Sequence, residues 1–156
     1  MITACPIRLA GAADARDIAR LSREAIEYGL AWSWTPRRVL ASLGDAATNV
    51  IVARQEGGLL GFAIMSYGDD EAHLLLLAVN AARRRSGIGS ALLQWLEATA
   101  AVAGIRSLHL ETRRRSSVAR AFYRGHGFAE TVQLAGYYQG VEDAVRMVKH
   151  LPGPPP

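Results

Sequence analysis

The sequence predicts a mixed α/β (α+β) fold, one largely antiparallel sheet of about seven strands flanked by about four helices. Three observations lead there. Strand-like and helix-like runs alternate in the order β-α-α-β-β-β-α-β-α-β-β. Three consecutive strand-like runs in the first half are joined by short turns, which makes hairpins. In the middle, a strand, a long helix and a further strand form a crossover, and a crossover joins parallel strands.

Each element has a local cause. Ile7 to Leu9 reads as a short first strand. Asp14 opens a helix whose apolar positions Ile18, Leu21, Ala25 and Ile26 recur at helical spacing, and Gly29 ends it. Thr35-Pro36 is a strong start for a second, short helix to about Leu43, with a capping hydroxyl followed by proline at the first helical position. Asn49 to Arg54 and Leu59 to Tyr67 are strands around the turn Glu56-Gly57-Gly58. Ala72 to Val79 is almost continuously apolar, so it is expected at the centre of the sheet, covered on both faces. Leu92, Leu93, Leu96 and Ala100 mark a long helix from about Gly87 to Ala103, stopped by Gly104. Ser107 to Thr112 is a strand and Val118 to His126 a helix closed by Gly127. Phe128 to Leu134 and Ala144 to Lys149 finish as strands, joined by Gly136 to Gly140. Residues 1–151 are expected to form one domain, with 152–156 a flexible proline-rich tail.

A chain of 156 residues suits a single core, and half of its residues are hydrophobic. The one cysteine, Cys5, excludes an intrachain disulfide and fits a reducing compartment. Met1 to Ala13 lacks a basic segment followed by a long apolar one, and Leu74 to Val79 is far too short to span a bilayer. A soluble, cytoplasmic protein without membrane partners is expected. The net charge is +4, and two arginine triplets, Arg83 to Arg85 and Arg113 to Arg115, carry much of the excess. Two triplets at the ends of regular elements are too few to make nucleic acid the expected partner. The second reads equally well as a solvated face.

The first triplet leads into Arg84-Arg85-Ser86-Gly87-Ile88-Gly89-Ser90, between the buried strand and the longest helix. A helix N-terminus presents unpaired N–H groups and a partial positive charge, both of which favour phosphate. Gly87 and Gly89 let the backbone approach a bulky pyrophosphate, and the arginines add charge. A Walker A loop is excluded, because no Gly-Lys-Ser/Thr follows. A dinucleotide-binding unit ending at Glu111 fits poorly. Leu92 stands at its third glycine, and Asn80 to Arg83 separate the strand from the first.

Arg84-x-x-Gly87-x-Gly89 resembles the acetyl-CoA motif of the GNAT N-acetyltransferase superfamily. Ala121-Phe122-Tyr123-Arg124-Gly125-His126-Gly127-Phe128 resembles a second signature of that family. The likeness runs from the first strand to Met147, and is nearest in pattern to ribosomal-protein-alanine and protein N-terminal acetyltransferases. It implies acetyl-CoA as acyl donor and no metal. The backbone of Leu77, Ala78 and Val79 would hold the pantetheine arm, and the amides of Arg85 through Ser90 the pyrophosphate. Phe122 and Ser116 would adjoin the cofactor, although many relatives have asparagine in place of Ser116. Tyr123 matches the family's general acid and Glu111 the general base of some relatives; Glu71, His73 and water remain alternatives for the base.

The resemblance also implies an acceptor wall. Trp32 and Trp34 lie between the first two helices. Tyr137 and Tyr138 precede Glu142-Asp143-Ala144, a segment similar to one in protein N-terminal acetyltransferases. Attack on a thioester needs a neutral amine. Deprotonation at pH 7 costs about 1.4 kcal/mol for an α-amine and about 4.6 kcal/mol for a lysine. A protein or peptide α-amine is therefore the expected acceptor, with a small-molecule amine as the alternative and a non-catalytic acyl-CoA-binding module as another. The family contains many dimers, so a homodimer stays open.

Overall fold

The computed structural model describes residues 6–56 and 58–153; Cys5, Gly57 and the last three tail residues lie outside them. The strands are β1 (Ile7–Leu9), β2 (Thr48–Gln55), β3 (Gly58–Tyr67), β4 (Glu71–Val79), β5 (Ser107–Arg113), β6 (Ala129–Tyr138) and β7 (Glu142–His150). The helices are α1 (Ala15–Ala25), α2 (Pro36–Leu43), α3 (Ile88–Val102) and α4 (Ser117–Gly125). All strands join one sheet in the order β1-β2-β3-β4-β5-β7-β6. Among the described residues β4 and β5 are the parallel pair, joined through α3, and the other pairings are antiparallel. This order removes the dinucleotide-binding alternative, which needs a doubly wound parallel sheet.

Two expected boundaries move. Helix α1 stops at Ala25 rather than Gly29, because the N–H groups of Ile26 and Glu27 both turn back to the Ser22 carbonyl. Strand β6 runs on to Tyr138 instead of ending at Leu134. An irregularity between Leu134 and Tyr138, with Gly136 at φ +62°, lets pairing resume at Tyr138 opposite Glu142. Tyr137 and Tyr138 therefore sit on a strand rather than in the connector that Gly136 and Gly140 suggest.

The sheet has a core on each face. Helix α3 covers one with Leu92, Leu93 and Leu96 against Ile51, Ala63, Leu74, Leu108, Leu110 and Met147. Helices α1 and α2 cover the other with Ile18, Ala19 and Val39 against Val52, Phe62, Ile64 and Leu76. Each large buried side chain contributes about 1.5–3 kcal/mol. Leu74 and Leu76 would share a face in a regular strand, yet they lie in different cores. The cause is a bulge: Met65 pairs with Leu74 and Ile64 with Leu76, leaving Leu75 extra.

That bulge positions the site. The β4–β5 pairing covers Glu71 to Leu74 against Ser107 to Leu110 and stops there. Beyond it β4 continues along β3 as far as Val79, and β5 along β7 as far as Arg113. The two central strands thus diverge, and the edge of β4 that faces β5 carries no strand partner among the described residues from Leu75 onward.

Candidate active site

The loop after β4 is built to expose backbone N–H groups. The Asn80 side chain accepts from the N–H of Ala82 and starts a 3-10 turn through Arg83. The Ser86 hydroxyl donates to the Arg83 carbonyl. Arg85, at φ +65°, and Gly87, at φ +85°, both adopt the left-handed conformation that swings the chain into α3. A non-glycine residue there carries local strain of order 1–2 kcal/mol, and such strain clusters at ligand clamps. Gly89 has a different task. A Cβ at this position would lie 3.3 Å from the Phe122 ring, so the residue lets α4 approach the first turn of α3. The Ser90 hydroxyl lies 2.9 Å from His126 Nε2, on the same face of α4 as Phe122. Ile88 is buried in the core beneath the loop.

The two arginine triplets differ. Arg83, Arg84 and Arg85 are exposed and form no ion pair with the described residues, so their charge is available to an anion. The second triplet is largely neutralised. Arg115 pairs with Glu142 at 2.6 Å, and Arg114 approaches Asp143 at 3.9 Å. Arg113 is buried, with Glu142 at 3.0 Å, and donates to the Tyr28 carbonyl at 2.5 Å. The solvated-face reading therefore fails for Arg113, which points inward because β5 residues 109, 111 and 113 alternate away from the α3 core.

A cavity of about 440 Å³ occupies the gap between the diverging strands. Leu77, Glu111, Ser116 and Tyr123 line it, and Trp34 and Tyr138 meet it from the far side. Tyr123 is nearly buried, and burial pushes its phenol above the ordinary range, so it stays protonated near neutrality. Its hydroxyl has no hydrogen-bond partner among the described residues. Ser116 caps α4, accepting from the N–H of Ala119.

Glu111 is the most heavily engaged group in the cavity. Its Oε1 takes His73 Nε2 at 2.6 Å and the Tyr137 hydroxyl at 3.0 Å, and its Oε2 takes Arg146 Nε at 3.0 Å. Burial alone would raise its pKa. The hydrogen bonds from His73, Arg146 and Tyr137 and the nearby charge win, holding it at about 2. An ionised carboxylate only accepts, so His73 carries a proton on Nε2. Glu111 and His73 also line a more open groove of about 880 Å³ with Tyr67, Glu71, His109 and Arg146. Glu71 is exposed there, 3.7 Å from His109.

The wall over the cavity comes from the segment between α1 and α2. The Glu27 carboxylate, almost fully buried, accepts from the N–H groups of Ser33, at 2.8 Å, and Trp34, at 3.3 Å. Trp34 is buried beneath the Arg38 guanidinium, 3.8 Å from its ring centre, and lines the cavity. Trp32 turns away to donate to the Ala19 carbonyl and lies outside the lining. Tyr137 and Tyr138 both line it from β6. Of the expected residues the structure gathers Trp34, Leu77, Glu111, Ser116, Tyr123, Tyr137 and Tyr138 around one cavity. The loop residues Arg84 to Ser90, with Phe122 beneath them, form a separate cluster at the end of β4. Glu27 and Gln139 also line the cavity and carry no motif that marks them in the sequence, and Arg113 lines it too, marked there only as one of three like charges.

Residues 46–130 match the acetyltransferase (GNAT) domain family. The [ribosomal protein bS18]-alanine N-acetyltransferase of Escherichia coli (strain K12) is 33% identical over 120 residues, 75% of this chain and 80% of that protein. The structure of Ard1 from Thermoplasma volcanium superposes with a TM-score of 0.85 at 27% identity, covering 96% of this chain and 99% of that one. The fold is also that of the PaiA N-acetyltransferase from Thermoplasma acidophilum in complex with coenzyme A, with a TM-score of 0.76 at 21% identity over 96% of this chain and 100% of that one.

Proposed function

The chain belongs to the GNAT family and is an N-acetyltransferase; on that premise we propose that it transfers the acetyl group of acetyl-CoA directly to the α-amine of a protein or peptide. The observation that carries this reading is the parting of β4 from β5 at the Leu75 bulge. It leaves, among the described residues, a backbone edge without a strand partner on one side of a cavity and a protonated Tyr123 hydroxyl without a hydrogen-bond partner on the other.

The residues present suit acetyl-CoA, which supplies a thioester-activated acetyl group. The N–H groups from Arg85 to Ser90, with the charges of Arg84 and Arg85, which form no ion pair among the described residues, would hold the pyrophosphate. A side chain at Gly89 would push into Phe122 and disturb that loop. The free edge of Leu77 to Val79 would take the amide-bearing arm as an added strand. Tyr123, a phenol that is neutral at pH 7 at its ordinary pKa near 10 and that lines the cavity, would give its proton to the departing thiolate.

Glu111 suits a different task from direct proton abstraction. Moving a proton from an α-ammonium near pKa 8 to a carboxylate near 2 is uphill by roughly 8 kcal/mol. Its permanent charge instead orients His73 and favours a cation in the cavity. The amine proton would leave to a water in the cavity. An α-amine is neutral often enough at pH 7 to need no stronger base, which favours it over lysine. The name of the bacterial relative, a [ribosomal protein bS18]-alanine N-acetyltransferase, is in keeping with this choice.

The test is thiol release from acetyl-CoA with three acceptors: peptides with a free α-amine, the same peptides blocked at the N-terminus, and polyamines. The proposal requires turnover with the first set. Turnover with polyamines alone would replace it with a small-molecule acetyltransferase, and no turnover alongside tight acetyl-CoA binding would favour a non-catalytic module.

A further inference from the structure

Gln139 occupies a position that its residue type does not favour. It lies at the tip of the β6–β7 hairpin, where the Val141 N–H bonds the Tyr138 carbonyl at 2.9 Å. Its φ is +57°, and that of Gly140 is +73°. Positive φ at both central residues defines a type I′ turn, whose first central position is best filled by Asn, Asp or Gly. An unbranched side chain such as glutamine is strained there by roughly 1 kcal/mol.

The side chain of Gln139 reaches 108 positions back along the chain. Its Oε1 accepts from the N–H of Ala31 at 2.9 Å, and its Nε2 donates to the carbonyl of Ala31 at 2.8 Å. Both backbone groups of one residue are thus satisfied by one amide. Asparagine, one methylene shorter, fits the turn better but cannot span to both. Ala31 lies between Leu30 and Trp34, which line the cavity, and Gln139 lines it too. Glu27 secures the far end of the same segment through Ser33 and Trp34, and Arg113 secures the near end through the carbonyl of Tyr28. Between these two anchors Gln139 is the tie to the hairpin that carries Tyr137 and Tyr138.

We propose that Gln139 is a positioning residue of the acceptor site: it sacrifices turn stability to fix the cavity wall at Ala31, and so sets the affinity for the acceptor amine. The functional half rests on the acetyltransferase reading above; the clasp itself does not.

Gln139→Gly and Gln139→Asn separate this role from a structural one, because both residues are at home in the turn. Each variant is expected to keep or slightly raise the melting temperature. Each should leave the acetyl-CoA Kd unchanged and kcat within about twofold, while KM for a free-α-amine peptide rises about fivefold or more. Amide hydrogen exchange at Ala31 should accelerate in both. An unchanged peptide KM, or unchanged Ala31 exchange, overturns the proposal. So does a fall in melting temperature with parallel losses in kcat and acetyl-CoA affinity, which would make Gln139 a structural residue. Wild-type protein that acetylates no α-amine sinks the acceptor reading instead, and the Ala31 exchange comparison then decides whether the clasp stands.

Discussion

His73 Nε2 lies 2.6 Å from Glu111 Oε1, across the last stretch where β4 and β5 still run side by side. With Arg146 and Tyr137 completing its shell, Glu111 has a pKa depressed from 4.5 to about 2. A lowered carboxylate pKa keeps the charge at every pH above that value. The pH profile of kcat/KM between 4 and 9 should therefore show no inflection at the ordinary glutamate position near 4.5. Its limb should follow the acceptor amine instead. Glu111→Gln should reduce kcat by about 10- to 100-fold, as expected when an oriented proton-transfer network is broken. A profile that rises through pH 4.5 in the wild type and loses that step in the variant would make Glu111 the direct base.

Tyr123→Phe removes one hydroxyl and keeps a ring that packs edge-on against Phe122 and Phe128, with centroids 5.1 and 5.6 Å away. The hydroxyl has no partner among the described residues, so stability should change by under about 1 kcal/mol. Loss of the proposed general acid should lower kcat about 10²-fold with the acetyl-CoA Kd unchanged. Steady-state thiol release and calorimetric titration check this together. Full activity in the variant would remove Tyr123 from the chemistry.

Gly89→Ala puts a methyl group 3.3 Å from the Phe122 ring, and Gly89→Asp adds a negative charge where phosphate is to bind. The first should weaken acetyl-CoA binding about tenfold and the second by more than 10²-fold, by like-charge repulsion at a helix N-terminus. Both should leave the melting temperature within a few degrees. Equal affinity in Gly89→Asp would move the pyrophosphate elsewhere.

Asp14 offers a stability test away from the cavity. Nearly buried, it accepts from Arg8 at 2.9 Å, from Arg54 at 2.6 Å and from the N–H of Gly11 at 2.8 Å. Burial works to raise its pKa, but those bonds lower it from 3.8 to about 2. A depressed carboxylate pKa contributes stability fully above about pH 4, and that contribution is lost as pH falls towards 2. Asp14→Asn should cost on the order of 2 kcal/mol at pH 7, with the difference from wild type shrinking below pH 4. Denaturant unfolding at pH 7 and pH 2.5 measures both.

Much of this architecture is legible in the sequence because its signals are local. Thr35-Pro36, Gly104 and the spacing of Leu92, Leu93 and Leu96 each mark a helix without reference to the rest of the chain. The arginine- and glycine-rich loop after β4 is legible for the same reason. The bulge that opens the site is not, because Leu74 to Leu77 are four identical residues and identical side chains carry no record of which face they take. Gln139 is silent because its partner is the backbone of Ala31, and backbone groups leave no trace in residue identity. Arg113 reads as one of three like charges, although its place on β5 turns it inward beneath Tyr28. The extension of β6 to Tyr138 is hidden by Gly136 and Gly140, which suggest a connector where the strand resumes past an irregularity.

The most direct measurement is fragment mass spectrometry of the product from one peptide carrying both a free α-amine and an internal lysine, after incubation with acetyl-CoA and the wild-type protein. The account predicts a single added acetyl group, on the α-nitrogen, with the N-terminally blocked control unmodified. Acetyl on the lysine of the blocked control, or no acetylation of either peptide, would contradict it.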